Sequence, residues 1–255
     1  MGTSAPSLAL VIPVLDDREL LARCLRSVAA QTVRPDELIV VDNGSTDGSA
    51  DVARRFGARV VHEPARGIPA ATAAGFDAAT AEVLARVDAD AVLPRTWVAD
   101  AKRRFGSARI TAVTGAGRIP AWPEPVSRLA MGAYLGTYSL AAGAALGHRP
   151  LWGSAMLVRR SVWDRIRDEV CRDDARVHDD LDLSVHLPAG TRVVRDRALT
   201  VAVARRTVGD GSRLARSFGM AVHTVVKHWP DEAPWRRYGR IVAARRSARR
   251  AGARQ

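Results

Sequence analysis

The stretch Arg86-Val-Asp88-Ala-Asp90-Ala-Val-Leu-Pro94 places two carboxylates, one residue apart, at the end of a short apolar run that begins at Val83. A short apolar run that ends in a turn is typical of a buried strand in a parallel sheet. Ligands of open α/β sheets bind beyond the carboxyl ends of such strands, and carboxylate oxygens suit a hard cation such as Mg²⁺. The stretch therefore predicts an α/β protein with a cation site at the tip of this strand.

A second apolar run of the same kind lies earlier in the chain. It reads Leu38-Ile-Val-Val-Asp42-Asn43-Gly44-Ser45-Thr46-Asp47-Gly48-Ser49, and it ends in residue types that favour the start of a helix, here predicted from Ser49 to Phe56. The carboxyl ends of parallel strands meet at one edge of a sheet. Two acid-tipped strands at that edge indicate a site for a nucleoside diphosphate.

The rest of the pattern switches repeatedly between short apolar runs and amphipathic stretches, which predicts a mixed, mostly parallel sheet flanked by helices in a single domain. A chain of 255 residues with 47% hydrophobic content is long enough to bury such a core. The predicted strands are Leu8–Val14, Leu38–Val41, Arg59–His62, Val83–Asp88 and Ile110–Thr114, and the further predicted helices are Glu19–Ala30 and Arg95–Phe105.

Charge is concentrated at the end of the chain. The net charge is +12, and residues 205–255 contain 13 Lys and Arg against three acids. A basic, predicted helical tail of this kind attracts anionic lipid or nucleic acid, or is simply solvated. An anionic membrane surface is the favoured partner of the tail, and nucleic acid is the less favoured one.

An uncharged segment of nineteen residues, Leu129–Gly147, precedes the acidic part of the second half. Its four glycines and many alanines make it too weakly hydrophobic to favour a membrane span. We expect a helix that packs against the domain, with a membrane-facing or acceptor-facing role as the alternative.

A third constellation, Val177-His178-Asp179-Asp180-Leu181-Asp182-Leu183-Ser184, puts three carboxylates in four positions near a predicted helix start. Crowded carboxylates raise one another's pKa unless a cation offsets them, which is one way to prepare a general base. An acidic first turn stabilised by the helix dipole is the structural alternative.

In combination, these segments resemble family 2 glycosyltransferases of the Rossmann-like GT-A fold, over Leu8 to Val203. The opening strand Val11-Ile-Pro-Val14, the Asp42 loop, the DXD motif Asp88-Ala-Asp90 and the segment Gly153-Ser-Ala-Met-Leu-Val-Arg-Arg160 occur in the family's order. The resemblance implies a bacterial, inverting hexosyltransferase of the cell envelope. It implies a nucleotide-sugar-binding half (1–115), an acceptor-binding half of the same domain (116–204) and the basic helical tail (205–255).

The resemblance also assigns candidate site residues. The donor is a nucleotide-diphosphate sugar, the cofactor is Mg²⁺ or Mn²⁺, and the acceptor is a glycan, a lipid-linked molecule or a small molecule. Asp180 is the expected base, with Asp179 as the alternative because it replaces the family's usual glutamate. The implied nucleotide-binding residues are Pro13, Asp42, Asn43, Arg66 and Asp88, the metal ligands are Asp90 and Asp88, and the acceptor residues are Trp152 and Gly153.

Several positions depart from the family pattern. Asn43 stands where a second aspartate is common, and Thr72 and Ala73 stand where arginine and asparagine are common, so Arg66 is the candidate replacement for the missing arginine. Trp152 suits either sugar stacking or core packing. His223 and His228 are weaker candidates for a late metal ligand, because their spacing does not place them on one helical face.

Two other functions compete with the transferase: a non-catalytic basic protein that binds polyanions on the same fold, and a sugar nucleotidyltransferase. The acids Asp88, Asp90 and Asp180 count against a pure polyanion binder, because they repel phosphate in the absence of a metal. Gly115-Ala-Gly117 lacks the third glycine of a dinucleotide-binding fingerprint and follows the wrong strand, which counts against a dehydrogenase of that type. The expected location is cytoplasmic, with peripheral contact at the inner face of the membrane.

Overall fold

The computed structural model describes residues 5–204, 211–229 and 231–252. These residues form one sheet and the helices that flank it. The strands are β1 (Leu8–Val14), β2 (Glu37–Asp42), β3 (Arg59–His62), β4 (Val83–Arg86), β5 (Ala112–Arg118), β6 (Met156–Arg159) and β7 (Val193–Ala202). The helices are α1 (Arg18–Ala29), α2 (Ser49–Arg55), α3 (Ile68–Ala78), α4 (Trp97–Phe105), α5 (Glu124–Leu146), α6 (Arg160–Ile166), α7 (Asp179–His186), α8 (Gly211–Lys227) and α9 (Pro234–Gly252).

The sheet has the strand order β3-β2-β1-β4-β6-β5-β7. Strand β1 is parallel to β2 and β4, β2 is parallel to β3, and β5 is parallel to β7. Only β6 among these strands is antiparallel to its neighbours, β4 and β5. The predicted mixed, mostly parallel sheet is confirmed, and the carboxyl ends of β1, β2 and β4 lie at one edge.

Side chains of β1 alternate between two apolar layers. Leu8, Leu10 and Ile12 join the layer that contains α1, α4 and part of α5, whereas Ala9 and Val11 join the layer of α3, α6 and α7. This period of two is what a strand covered on both faces requires. The strand is therefore fixed in register by both layers.

Helix α3 was not among the predicted elements. Its sequence, Ile68-Pro-Ala-Ala-Thr-Ala-Ala-Gly-Phe-Asp-Ala, is buried on most sides, so it has no apolar stripe of helical period. Gly67 precedes it with φ of 140°, a conformation that favours glycine. Gly75 lets the helix approach the sheet, because an added Cβ would overlap Val11 Cγ1 and lie 2.8 Å from Val41 Cγ2.

Strand β5 runs further than predicted, to Arg118 instead of Thr114. Gly115 and Gly117 interrupt its apolar pattern but lie within the strand. Both positions require glycine, because other segments of the same chain come too close for a side chain. A Cβ at Gly115 would overlap the Leu199 carbonyl oxygen, and one at Gly117 would overlap Met131 and lie 2.7 Å from the Trp152 ring. The strand also crosses the proposed boundary between residues 115 and 116.

Helix α5 is more exposed than expected for a packing helix. Only 17% of its most apolar 18-residue stretch is buried, and by length and composition it is the one described helix that could cross a membrane.

The basic end of the chain is attached to the domain through α9, where Arg237 is 5% exposed. Its guanidinium donates to the carbonyl oxygen of Leu146 at 2.8 Å and pairs with Glu232 at 2.7 Å.

We predict that Gly75→Ala lowers the free energy of unfolding by about 1–3 kcal/mol, because the added methyl group overpacks the contact with Val11 and Val41. Gly132→Ala is the matched control, since a Cβ there meets nothing within 4 Å on the exposed side of α5. That substitution is expected to stabilise by roughly 0.5–1 kcal/mol. Urea unfolding followed by circular dichroism measures both, and equal effects would contradict the close packing of α3.

Candidate active site

A buried arginine lies at the centre of the acidic edge. Arg86 ends β4, is 4% exposed, and approaches Asp88 Oδ1 at 2.7 Å and Asp179 Oδ2 at 3.7 Å. Burial alone would lower the pKa of Arg86, but the surrounding carboxylates, led by Asp179 and Asp88, raise it above its usual value. The guanidinium therefore stays charged and joins the strand tip to α7.

The backbone around Gly153 fits closely against this cation. A Cβ at Gly153 would overlap Arg86 Nη1 and lie 3.3 Å from Asp180 Oδ2. Without a side chain, the Gly153 N–H donates to Asp180 Oδ2 at 2.7 Å. The next residue, Ser154, donates its hydroxyl to Asp88 Oδ2. One short segment thus contacts both the strand-tip acid and the acid of α7.

Asp180 is held as an ionised carboxylate. It is 1% exposed and accepts hydrogen bonds from the Tyr138 hydroxyl at 3.3 Å and from His178 Nδ1 at 2.7 Å. Burial would raise the pKa of Asp180, but the charge and hydrogen bond of His178, the Gly153 N–H and the Arg86 charge lower it below the ordinary value. The Asp180 charge in turn raises the pKa of His178 to about 9.

Asp179 has the opposite tendency. Burial raises the pKa of Asp179, and the Arg86 charge opposes that rise only in part. Its Oδ2 accepts a hydrogen bond from the Thr72 hydroxyl at 2.8 Å. The two adjacent acids are thus electrostatically distinct, and Asp180 is the one suited to accept a proton at neutral pH.

On the nucleotide side, Asn43 has a structural task that an aspartate could not perform. Its amide nitrogen donates to the carbonyl oxygens of Glu63 at 2.9 Å and Ala65 at 2.7 Å, and its Oδ1 accepts from the Gly67 N–H at 2.8 Å. A carboxylate has no protons for the two carbonyl groups. Asn43 therefore fixes the loop that carries the exposed Arg66.

The other predicted nucleotide-side residues lie near the same edge. Asp42 ends β2, is 7% exposed and accepts the Ser45 N–H at 2.9 Å. Pro13 lies in β1 opposite Val41 and is half-buried. The site of the expected nucleotide is therefore bounded by the ends of β1 and β2.

The strand-tip acids create a negative environment. Asp90 is half-buried, and the side chain of Asp88 is 33% exposed. After burial itself, the charges of Asp90 and Asp88 are what raise the pKa of the Cys24 thiol above its usual range. Carboxylate oxygens in a site with excess negative charge fit a hard divalent cation such as Mg²⁺ or Mn²⁺.

Two further groups of potential metal ligands occur in the part of the chain that the structure describes. They are His178–Asp179–Asp180 and Cys171–Asp182–His228, whose ligand atoms lie within 4.8 Å of one another in each group. The histidines considered as late ligands contact different acids. His228 Nε2 lies 2.7 Å from Asp182 Oδ1, and His223 Nε2 lies 2.8 Å from Asp174 Oδ2.

Trp152 lies in the core, as expected if its role is core packing. It is 6% exposed, its ring lies against Gly117, and its backbone N–H donates to the Thr114 hydroxyl at 3.1 Å. Sugar stacking by Trp152 stays a prediction. Gly153 is at the centre of the acidic site.

The sequence did not indicate three residues of the site, Arg86, Ser154 and Tyr138, or the contact of Thr72 with Asp179. Arg86 was detectable, because an arginine inside a buried strand must be paired. The other three depend on contacts between distant parts of the chain, which no local pattern reports.

An open α/β sheet with acids beyond β2 and β4 and a buried acid pair at the start of α7 matches the arrangement expected for the GT-A class of sugar-transferring enzymes. The model of Glycosyl transferase family 2 matches residues 9–167. This is more than half of the chain, and the chain belongs to that family.

Curated relatives support the same assignment. Glycosyltransferase AglE of Haloferax volcanii is 30% identical over 106 residues, which are 38% of this chain and 35% of that protein. An uncharacterized glycosyltransferase of Mycobacterium tuberculosis is 42% identical over 84 residues, 33% of this chain and 37% of that protein. The matches span about a third of the length of these relatives.

Solved structures share the fold. The mannosyltransferase PcManGT of Pyrobaculum calidifontis, solved with GDP-Man and Mn²⁺, has a TM-score of 0.67 and 21% identity over 94% of this chain and 70% of that chain. Glucosyl-3-phosphoglycerate synthase of Mycobacterium tuberculosis, solved with Mn²⁺, UDP and glucosyl-3-phosphoglycerate, has a TM-score of 0.58 and 18% identity over 87% and 78%. The predicted GT-A fold is confirmed.

We predict that the pair of His178 and Asp180 makes stability depend on pH. Because the folded-state pKa of His178 is raised to about 9, its contribution is complete below its unfolded pKa of about 6.5 and is lost as pH rises through 9. Wild type is expected to lose roughly 2 kcal/mol of unfolding free energy between pH 6.5 and 9.5 that His178→Gln does not lose. His62→Gln, whose side chain is 66% exposed, is the control. Parallel wild-type and His178→Gln curves would contradict the charged pair.

Proposed function

We propose that this chain transfers a sugar from a nucleotide-diphosphate sugar to an acceptor hydroxyl with inversion of the anomeric configuration. The observation that carries the proposal is the ionised Asp180, which is held by the Gly153 N–H and His178 beside the ion pair of Arg86 with the strand-tip acid Asp88. A buried carboxylate with a lowered pKa stays deprotonated at neutral pH and can accept a proton.

The reaction is a single displacement. The acceptor oxygen forms a bond to the anomeric carbon while the bond from that carbon to the diphosphate oxygen breaks. The hydroxyl proton goes to Asp180, and the electron pair of the broken bond leaves with the nucleoside diphosphate. Attack from the face opposite the leaving group inverts the configuration. In this proposal the acceptor hydroxyl approaches Asp180 beside Tyr138, whose hydroxyl lies 3.3 Å from Asp180 Oδ1.

Asp90 and Asp88 would hold Mg²⁺ or Mn²⁺, which offsets the charge that develops on the departing diphosphate. The excess of carboxylates over cations at the strand tip supports this assignment, as does the Mn²⁺ in the two solved structures of the same fold. Asp90 is the principal ligand in this proposal, as the resemblance to the family implies, and Asp88, whose two carboxylate oxygens contact Arg86 and Ser154, is the second one.

The donor nucleotide would lie against Pro13, Asp42 and the loop that Asn43 fixes, with Arg66 placed for the diphosphate. The acceptor would enter beside Gly153 and Trp152, and it is a glycan, a lipid-linked molecule or a small molecule. We place the reaction in the cytoplasm, with the basic residues 205–255 at an anionic membrane surface.

Donor and metal binding are tested together by thermal stabilisation with UDP-, GDP- and dTDP-sugars, with and without Mn²⁺. We expect one nucleotide class to raise the melting temperature only when Mn²⁺ is present, and Asp90→Ala to lose that effect because a carboxylate ligand is removed. Asp51→Ala is the control, since Asp51 is 70% exposed and pairs with Arg54 on α2. If no nucleotide stabilises wild type, the polyanion-binding alternative gains support.

The base is tested by Asp180→Asn and Asp179→Asn. Removing the proton acceptor is expected to lower kcat by about 10²–10⁴-fold for Asp180→Asn, with Mn²⁺-dependent nucleotide binding retained. Asp179 faces the Thr72 hydroxyl and Arg86, and asparagine keeps the shape and an acceptor oxygen of the side chain, so a loss of about tenfold or less is expected. Initial rates of nucleoside diphosphate release with acceptor present measure both. A larger loss in Asp179→Asn would assign the base to Asp179.

A further inference from the structure

The described parts of α5, α8 and α9 expose large apolar side chains together. Leu140 of α5 is 77% exposed, Phe218 and Val226 of α8 are 71% and 63% exposed, and Trp235 of α9 is 63% exposed. Single exposed apolar residues are ordinary, but a cluster marks an interaction surface. We call the following set the apolar face: Leu140, Phe218, Val222, Val226, Trp229 and Trp235.

On α8 the exposed apolar residues form a stripe of helical period. Phe218, Val222 and Val226 recur at intervals of four and are exposed, and the exposed Trp229 follows two residues after the helix ends. The opposite stripe provides the packing, because Thr224 is fully buried and its hydroxyl accepts the His178 N–H at 2.8 Å. The outward stripe is therefore not needed to hold the helix in place.

Contacts join the elements that carry these residues. The rings of Trp229 and Trp235 are 5.0 Å apart in an edge-to-face arrangement. Ala142 of α5 lines the same crevice as Trp229, and the Tyr238 hydroxyl of α9 donates to the carbonyl oxygen of Ala144 at 3.0 Å. Helices α8 and α9 and the segment between them thus carry most of the apolar face together, with α5 packed beside them.

Basic residues accompany this face. Arg236 and Arg240 of α9 have side chains that are 56% and 50% exposed, and Arg246 is also exposed. The nearby Glu232 is already neutralised by Arg237 and Arg240. Exposed tryptophan and aliphatic side chains next to arginines suit the boundary between lipid headgroups and acyl chains, where anionic headgroups attract the cations.

We propose that the apolar face docks on an anionic lipid bilayer, with α5 lying in the plane of the membrane surface. Helix α5 is held on the domain, because Met131, Leu135 and Leu146 are buried in it and Tyr138 contacts Asp180. The partner is therefore a membrane surface, and the apolar contact adds to the attraction of the basic tail.

The docking is tested by co-sedimentation with vesicles of phosphatidylcholine alone and of phosphatidylcholine with phosphatidylglycerol. We expect wild type to bind the anionic vesicles. The triple variant Leu140→Ser, Val226→Ser, Trp229→Ser should bind at least tenfold more weakly, since its apolar anchors are removed. Val33→Ser is the matched control, because Val33 is a 40% exposed apolar residue in the loop after α1. Arg236→Gln with Arg240→Gln tests the electrostatic part, and thermal melts verify folding.

Unchanged binding of the triple variant would overturn the proposal. So would a wild-type dimer, detected by light scattering, that the triple variant dissociates, because the face would then be a protein interface. The assay contains no donor or acceptor, so it is independent of the proposed reaction. If the chain binds vesicles but transfers no sugar, the proposed reaction is refuted and the docking proposal stands. If it transfers sugar to a soluble acceptor but does not bind vesicles, the docking proposal is refuted and the proposed reaction stands.

Discussion

The ion pairs of Arg86 hold the acidic edge of the sheet together. Burying a guanidinium at the end of a strand costs desolvation free energy unless carboxylates surround it. Burying carboxylates there carries the same cost unless a cation lies beside them. Arg86 Nε is buried without a hydrogen-bond partner among the described residues, so the compensation comes from the carboxylates, beginning with Asp88 at 2.7 Å. Arginine suits the position because its planar group stays charged and addresses two acids at once. The tip of β4 and the start of α7 are therefore mutually dependent.

The same cation helps to give two neighbouring acids different properties. Asp179 and Asp180 are both buried at the start of α7, yet the pKa of Asp179 is raised by burial while His178, the Gly153 N–H and Arg86 lower that of Asp180. The difference arises from their contacts, because adjacent helical residues point in different directions. Asp179 faces the Thr72 hydroxyl, whereas Asp180 faces the Gly153 segment and Tyr138. An acidic pair in sequence thus provides one structural carboxyl group and one that is suited to receive a proton.

Local pattern was sufficient for part of this structure. The bounds of β1 and β3 and the first residue of α2 agree with prediction, since apolar runs and capping residues are local signals. Helix α3 was missed because burial on most sides removes the amphipathic pattern. The exposed apolar residues of α5 were read as packing residues, because composition does not tell which side of a helix meets solvent. The roles of Asn43 and Arg86 follow from contacts with residues that are distant in sequence and become neighbours only in the folded chain.

The C-terminal part of the chain contributes contacts to the candidate site as well as most of the net positive charge. Helix α8 contacts the segment before α7 at two points: Thr224 accepts the His178 N–H, and His223 pairs with Asp174 at 2.8 Å. His228, just beyond the end of α8, places its Nε2 2.7 Å from Asp182 Oδ1 of α7. His178 in turn holds the charge of Asp180. The residue that sets the ionisation of the proposed base is therefore positioned by the helix whose outer side forms the apolar face. Displacing α8 from the domain would therefore remove the hydrogen bond that Thr224 accepts from the His178 N–H.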